Sequence, residues 1–137
     1  MTGAISSPLS LDQLDVVEAS KEGFSFEYIK PDGSPSGVFI TVLGDNAPSV
    51  KEFLRKRLNA LRRVEAMATK AGKAAERLVE QDEQFGIELT AVKVVSWLGI
   101  AEECTFENAV RLCTINPLVR NQINEAAGDV ANFTKAS

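Results

Sequence analysis

The sequence predicts an α+β domain in which helices predominate: an N-terminal β-hairpin packed against four to five helices, including one long amphipathic helix. Two strand-like runs flank a cluster of turn residues, a long stretch without glycine or proline follows, and helix-capping sequences mark the last third. The 137 residues suit a single domain. We expect the N-terminal helix and hairpin over about 10–44 and the helical part over about 47–133.

A short helix is predicted at the N-terminus. Ser10 and Gln13 occupy the two positions of a capping box, and apolar residues follow at helical spacing as far as Val17. Gly23 is expected to end this helix because glycine commonly follows a helix C-terminus.

The hairpin is predicted because the spacing of apolar residues changes from helical to alternating. Phe24, Phe26 and Tyr28 alternate with polar residues, 31–37 is rich in turn formers, and Val38–Leu43 is a second apolar run. Two strands alone are marginal in water, so the hairpin must pack on a helix or pair with another chain. The edge of Val38–Leu43 is therefore a candidate for strand pairing between subunits.

A long amphipathic helix is predicted after Pro48, which suits a first helical turn. Its apolar or small residues recur three or four positions apart, interrupted only at Arg57: Val50, Leu54, Leu61, Val64, Ala68, Ala71, Ala75 and Leu78. We expect the helix to reach Leu78 or about Glu83, with a bend at Gly72. The alanine-rich spacing is compatible with helix packing in a homo-oligomer.

The last third is predicted to be helical. Glu88–Leu98 is apolar enough to form a buried helix, with Trp97 as a core residue. Thr105 is expected to cap the next helix and Asn116 the last full one, with one more turn over Asp129–Phe133. The terminal aromatic ring can dock on a partner or fold back on its own chain, and both alternatives stay open.

The composition argues against several kinds of catalytic and metal site. The chain has no histidine, which removes the commonest general base and transition-metal ligand. Cys104 and Cys113 alone cannot complete a four-ligand zinc site, so we expect free, at least partly buried thiols. No glycine-rich phosphate loop is present, and neither a cofactor nor an enzymatic activity is expected.

Two further features, a cluster of carboxylates and an apolar stretch, are not expected to form a metal site or a membrane span. The carboxylates Glu80, Asp82, Glu83 and Glu88 lack the spacing of a calcium loop and are expected to form a solvated helix end. The most apolar stretch, 91–101, contains a lysine and is too short to span a membrane. No secretory signal is recognisable, so we expect a soluble protein that stays where it is made.

The distribution of charge is strongly asymmetric. Residues 51–77 hold nine of the fifteen basic residues and three acidic ones, so this segment is locally +6 while the rest of the chain is −10. The pattern fits either the solvated face of an amphipathic helix or a binding surface for an acidic protein or a nucleic acid. Since Phe53 is the only aromatic residue nearby and the net charge is −4, a protein partner is favoured. The candidate partner-binding residues are Arg55, Lys56, Arg62, Arg63, Lys70, Lys73 and Arg77.

Separate pieces of the sequence, taken in order over about residues 37–133, resemble the small tail assembly chaperones of siphophages. The N-terminal piece is Gly37–Asp45, which leads into the long charged helix. The C-terminal pieces are Trp97 followed by a glycine, Thr105–Ala109 with Leu112, Asn116–Pro117, Arg120 with Gln122 and Ile123, and Asp129–Phe133.

This resemblance implies a non-catalytic protein of the host cytoplasm. It would coat the tape measure protein, help to gather tail tube subunits around it, and be absent from the mature virion. The family has no catalytic residues to transfer to this chain. One alternative is a structural virion protein, either a head–tail connector or a minor tail component. Another is a nucleic-acid-binding regulator, although no helix-turn-helix pattern supports it.

Overall fold

A three-stranded antiparallel sheet lies at the centre of the fold in this computed structural model, which describes residues 7–70, 72 and 79–133. Strands β1 (Phe24–Ile29) and β2 (Pro35–Val42) form the predicted N-terminal hairpin. Within the turn, Asp32 Oδ1 accepts hydrogen bonds from the Ser34 backbone NH at 2.9 Å and hydroxyl at 2.6 Å. The hairpin prediction is confirmed.

The third strand, β3 (Val94–Leu98), was not predicted. It pairs with β2, placing Trp97 opposite Ile40, so the prediction of a helix through Leu98 was wrong. Short apolar runs suit a strand or a buried helix equally well, and here the β-branched residues of β3 favour the strand. Because β2 is now the central strand, the proposed edge at Val38–Leu43 is already paired on both sides.

One edge of the sheet is closed at its end by a side chain. The Gln122 side chain donates to the carbonyl of Ile29 at 2.9 Å and accepts from its NH at 3.0 Å. Its amide thus satisfies the backbone of β1 as a neighbouring strand would. No strand covers the outer edge of β3 in the part of the chain that the structure describes.

Within the described residues, five α-helices accompany the sheet: α1 (Val16–Ala19), α2 (Pro48–Lys70), α3 (Val79–Ala91), α4 (Phe106–Ile115) and α5 (Pro117–Gly128). Short 3-10 turns lie at Asp12–Leu14 and Val130–Phe133. Helix α5 packs on the hairpin, while α3 and α4 pack against each other and on α5. The prediction of an α+β fold dominated by helices is confirmed.

The N-terminal segment follows the predicted capping but not the predicted helix. The Ser10 NH donates to Gln13 Oε1 at 2.8 Å, and the Gln13 NH donates to the Ser10 hydroxyl at 3.3 Å. The capping box nevertheless opens a single 3-10 turn, and Asp15 then caps the four-residue α1. Leu11 is exposed, so little burial supports a longer helix here.

The long helix α2 begins at Pro48 as predicted but ends at Lys70. Gly72 has a φ of 72°, which glycine adopts without the steric cost that other residues incur. The prediction of one helix through Leu78 was therefore wrong, because the chain leaves helical geometry at this glycine. Residues 73–78, with the predicted stripe positions Ala75 and Leu78, lie outside the described residues, as does Ala71.

The hydrophobic core lies between the sheet and α5. Ile40 and Val42 of β2 and Val119 and Ile123 of α5 are fully buried. Phe133 is also buried, with its ring centroid 6.2 Å from that of Phe24 in an edge-on arrangement. The terminal aromatic ring therefore folds back on its own chain, which resolves that open alternative.

The predicted caps of the last two helices are confirmed. The Thr105 hydroxyl accepts from the Asn108 NH at 3.1 Å, and Asn116 Oδ1 accepts from the Val119 NH at 3.1 Å. Trp97 is half-buried against the core, and its indole NH donates to the carbonyl of Glu102 at 2.9 Å.

We call the sheet with α4, α5 and the C-terminal turn the body, and α2 with α3 the helical pair.

Candidate interaction surface

The first two turns of α2 are attached to the body. Val50 is buried, and the Phe53 ring lies 6.2 Å from the Phe106 ring of α4. The Arg57 guanidinium stacks over Phe53 at 5.4 Å and forms an ion pair with Glu88 of α3. Arg57, which interrupts the predicted apolar stripe, thus joins α2 to α3 through its ion pair with Glu88, while its cation–π contact with Phe53 holds the guanidinium against α2 itself.

Beyond Arg57, α2 presents apolar side chains to solvent. Val64 is 60% exposed and Met67 is 71% exposed, while Leu61 is half-buried and faces the space beside α3. Such residues in the middle of a helix normally lie against a core. The apolar stripe predicted from the sequence includes Val64 but not Met67, and the helical period does not show which stripe positions α3 leaves uncovered.

A groove of about 530 Å³ lies between α2 and α3. Ala60, Leu61 and Val64 line it from α2, and Phe85 lines it from α3. Charged residues also line it, among them Glu65 on α2 and Glu80 and Asp82 on α3. A groove that combines apolar and charged side chains can accept the apolar face of an amphipathic helix.

Five of the predicted partner-binding residues are exposed on α2: Arg55, Lys56, Arg62, Arg63 and Lys70. The other two, Lys73 and Arg77, lie outside the described residues.

The spacing of the five places them in two adjacent rows. Arg55 and Arg62 form one row, and Lys56, Arg63 and Lys70 form the other, with successive members seven positions apart. Within the described part of the chain, Arg62, Arg63 and Lys70 make no ion pair.

The two helices of the pair carry opposite charge. Helix α2 has seven basic and two acidic residues, whereas α3 has four acidic residues and no basic one. Glu80 and Asp82 stand in the first turn of α3, where the helix dipole favours negative charge. Glu88 pairs with Arg57 and also accepts from the Gln84 side-chain amide at 3.0 Å. The acidic residues therefore stabilise α3 and its attachment to α2.

Three of the four carboxylates predicted to form a solvated helix end do so, whereas Glu88 is partly buried and pairs with Arg57. Glu80, Asp82 and Glu83 are exposed at the start of α3. No group of three or more acidic or cysteine side chains is arranged to hold a metal ion in the residues that the structure describes.

Both cysteines are free thiols, as predicted. Burial raises the pKa of Cys113 to about 11, despite an opposing effect of Arg120. Burial, and next the nearby carboxylate of Glu103, also raises the pKa of Cys104. Since the thiolate is the nucleophilic form, both effects reduce the reactivity of these side chains.

A second exposed apolar surface lies on the sheet, away from the core. Leu98 of β3 is 72% exposed and stands opposite the half-exposed Phe39 of β2. This pair went unrecognised because Leu98 was assigned to a helix. The alternation of β3, with Trp97 packed inward, would have placed Leu98 outward had the strand been recognised.

The comparisons with known proteins gave no relative. No protein-family model, no curated protein and no solved structure matches the chain. Among the described residues, no helix is both long and apolar enough to cross a bilayer.

Proposed function

We propose that this chain is a non-catalytic tail assembly chaperone of a long-tailed phage. In the host cytoplasm it binds the tape measure protein, helps to recruit tail tube subunits, and is absent from the mature virion. The resemblance of its sequence pieces to siphophage chaperones suggests this role. The observation that carries the proposal is the exposed apolar side of α2, with Val64 and Met67 beside a groove.

The physical requirements of such a chaperone match this surface. A long helical client exposes apolar stripes before assembly, and a chaperone has to cover them reversibly. The groove offers apolar contacts, and the cations beside it accelerate encounter with an acidic client without requiring deep burial.

Co-expression tests the proposal. The tape measure protein encoded nearby should be soluble with this chain and aggregate without it, and the two should co-purify. Met67→Glu should reduce co-purification because it places a charge on the apolar side of α2. The matched control is Leu11→Glu, which adds the same charge at an exposed leucine outside the helical pair. A tape measure protein that aggregates equally with and without the chain contradicts the proposal.

The second candidate function is a structural virion protein, either a head–tail connector or a minor tail component. The exposed Phe39–Leu98 pair favours it, since a permanent neighbour in a particle would cover such a surface. Mass spectrometry of purified particles separates the two functions. A chaperone is missing from the particles, whereas a structural protein is present in fixed proportion to the other tail proteins.

A nucleic-acid-binding regulator has weaker support. The Phe53 ring, the aromatic residue nearest the basic rows in the sequence, already contacts Phe106 and Arg57. It is therefore committed to the attachment of α2 rather than free to stack on bases.

A further inference from the structure

The exposed apolar side chains of α2 follow the spacing of a coiled-coil seam. Phe53, Arg57, Ala60, Val64 and Met67 are separated alternately by four and three residues. The first two are engaged with the body and α3, while the last three are exposed. The seam is thus formed but uncovered over its distal half, where it borders the groove.

A row of cations runs along one side of this seam. Lys56 and Arg63 each stand one position before a seam residue, and Lys70 continues their seven-residue spacing. All three are exposed. The ion pair of Lys56 with Glu52 is long, at 3.9 Å, and Arg63 and Lys70 make none among the described residues. These positions correspond to the flanking sites of a coiled coil, whose charges select the partner.

The sign of the row argues against an antiparallel second copy of α2 as the occupant. An antiparallel copy would bring its own Lys56, Arg63 and Lys70 against the same row, and like charges at these sites repel. The acidic α3 of a second copy is also a poor fit. Ahead of Phe85, it exposes a run of polar residues rather than an apolar stripe: Glu80, Gln81, Asp82, Glu83 and Gln84.

We propose that the groove binds one amphipathic helix with an acidic residue every seventh position beside its apolar stripe. The acidic row faces Lys56, Arg63 and Lys70, and the other flank is not acidic because Glu80 lines the α3 side. Lys56 and Lys70 are fourteen residues apart, so the bound segment spans about 21 Å of helix. The inference rests on the proposed function insofar as the client is a protein, and it specifies which client segments are bound.

Two synthetic peptides test the charge pattern. Both have three heptads with the same apolar stripe; one carries glutamate in the flanking row and its twin carries lysine. Fluorescence anisotropy with the whole chain should show binding of the acidic peptide and about tenfold weaker binding of its twin. Equal binding of both peptides would overturn the inference.

The two basic rows of α2 provide a matched pair of variants. Arg63→Glu with Lys70→Glu reverses the row beside the seam, and Arg55→Glu with Arg62→Glu reverses the adjacent row with the same change in net charge. The first pair should weaken binding of the acidic peptide about tenfold and create binding of the basic twin. The second should change either affinity by less than about threefold. Equal losses in both pairs would show unspecific attraction and refute the inference.

Sedimentation of the unliganded chain tests occupation by a second copy. The inference expects a groove accessible to peptide at all chain concentrations, whereas a dimer dissociated by Val64→Glu would show that another copy fills it. The outcomes remain separable from the proposed function. If the peptides behave as expected but the tape measure protein is not solubilised, only the chaperone role fails. If solubilisation is unaffected by Arg63→Glu with Lys70→Glu, only the groove inference fails.

Discussion

Ile123 of α5 and Met67 of α2 are both apolar residues on amphipathic helices, yet Ile123 is completely buried and Met67 is 71% exposed. In the body, α5 lies between the sheet and its neighbouring helices, so its apolar face stabilises the fold. In the helical pair, α3 packs on α4 and α5, whereas α2 is attached through its first turns and leaves its distal apolar side chains exposed. The same sequence pattern therefore specifies a core in one place and leaves surface for a partner in the other.

The largest expected effect compares these two residues directly. Ile123→Ala removes buried methyl groups and leaves a cavity against Ile40 and its neighbours in the core, so the free energy of unfolding should fall by about 2–5 kcal/mol. Met67→Ala should change it by less than about 0.5 kcal/mol. Urea denaturation measures both. A large loss for Met67→Ala would indicate that a second copy covers α2 in solution.

Two glycines with positive φ provide the next comparison. Gly99 in the body has a φ of 88°, and a Cβ there would lie 2.5 Å from the carbonyl oxygen of Gly37. Gly72, after α2, has a similar φ but open space around it. Gly99→Ala should cost about 2–3 kcal/mol, from backbone strain plus the clash, and Gly72→Ala about 1 kcal/mol, from strain alone. Thermal unfolding of the two variants checks the order, and equal losses would contradict the contact between Gly99 and Gly37.

Ion pairs should also contribute differently to stability, more where they are buried against the body and less where they are exposed on α2. Lys93, buried beside β3, donates to Asp45 at 2.7 Å and to Asn124 at 3.1 Å. Asp45→Ala leaves this ammonium with a neutral partner only, so the free energy of unfolding should fall by about 1–3 kcal/mol. Glu52→Ala removes the exposed pair with Arg55 on α2 and should cost about 0.5 kcal/mol or less. Equal losses in urea denaturation would show that burial does not govern these pairs.

The sequence was informative wherever local chemistry decides the structure. The capping side chains of Thr105 and Asn116 identified the starts of α4 and α5, and alternating aromatic residues identified β1. Strand β3 was missed because its five residues, four apolar and one serine, carry too weak a period, and its pairing with β2 joins residues 52 to 59 positions apart. The end of α2 depended on the backbone conformation of Gly72, which sequence alone left open.

The candidate surface, too, was predicted where it depends on local sequence and missed where it depends on distant residues. Exposure of the cations from Arg55 to Lys70 followed from the helical period, and the structure agrees. The groove could not be predicted because it requires the position of α3, and hence the break after α2. Arg57 illustrates the difference: the period marks it as an interruption, but its ion pair with Glu88 links α2 to α3.

The reaction rates of single thiols should distinguish the body from α2, with variants that show no measurable loss of stability. In a Cys104→Ser background, Cys113 should react with an aromatic disulfide at pH 8 only through unfolding, because it is buried and burial raises its pKa to about 11. A thiol introduced by Met67→Cys should react within about tenfold of its rate in urea, and roughly a thousandfold or more faster than Cys113. Absorbance of the released thiolate measures both rates, with Cys104→Ser alone as the control. Protection of the introduced thiol that disappears on dilution would mean that another copy covers α2, and the distinction between the body and the helical pair would then fail in solution.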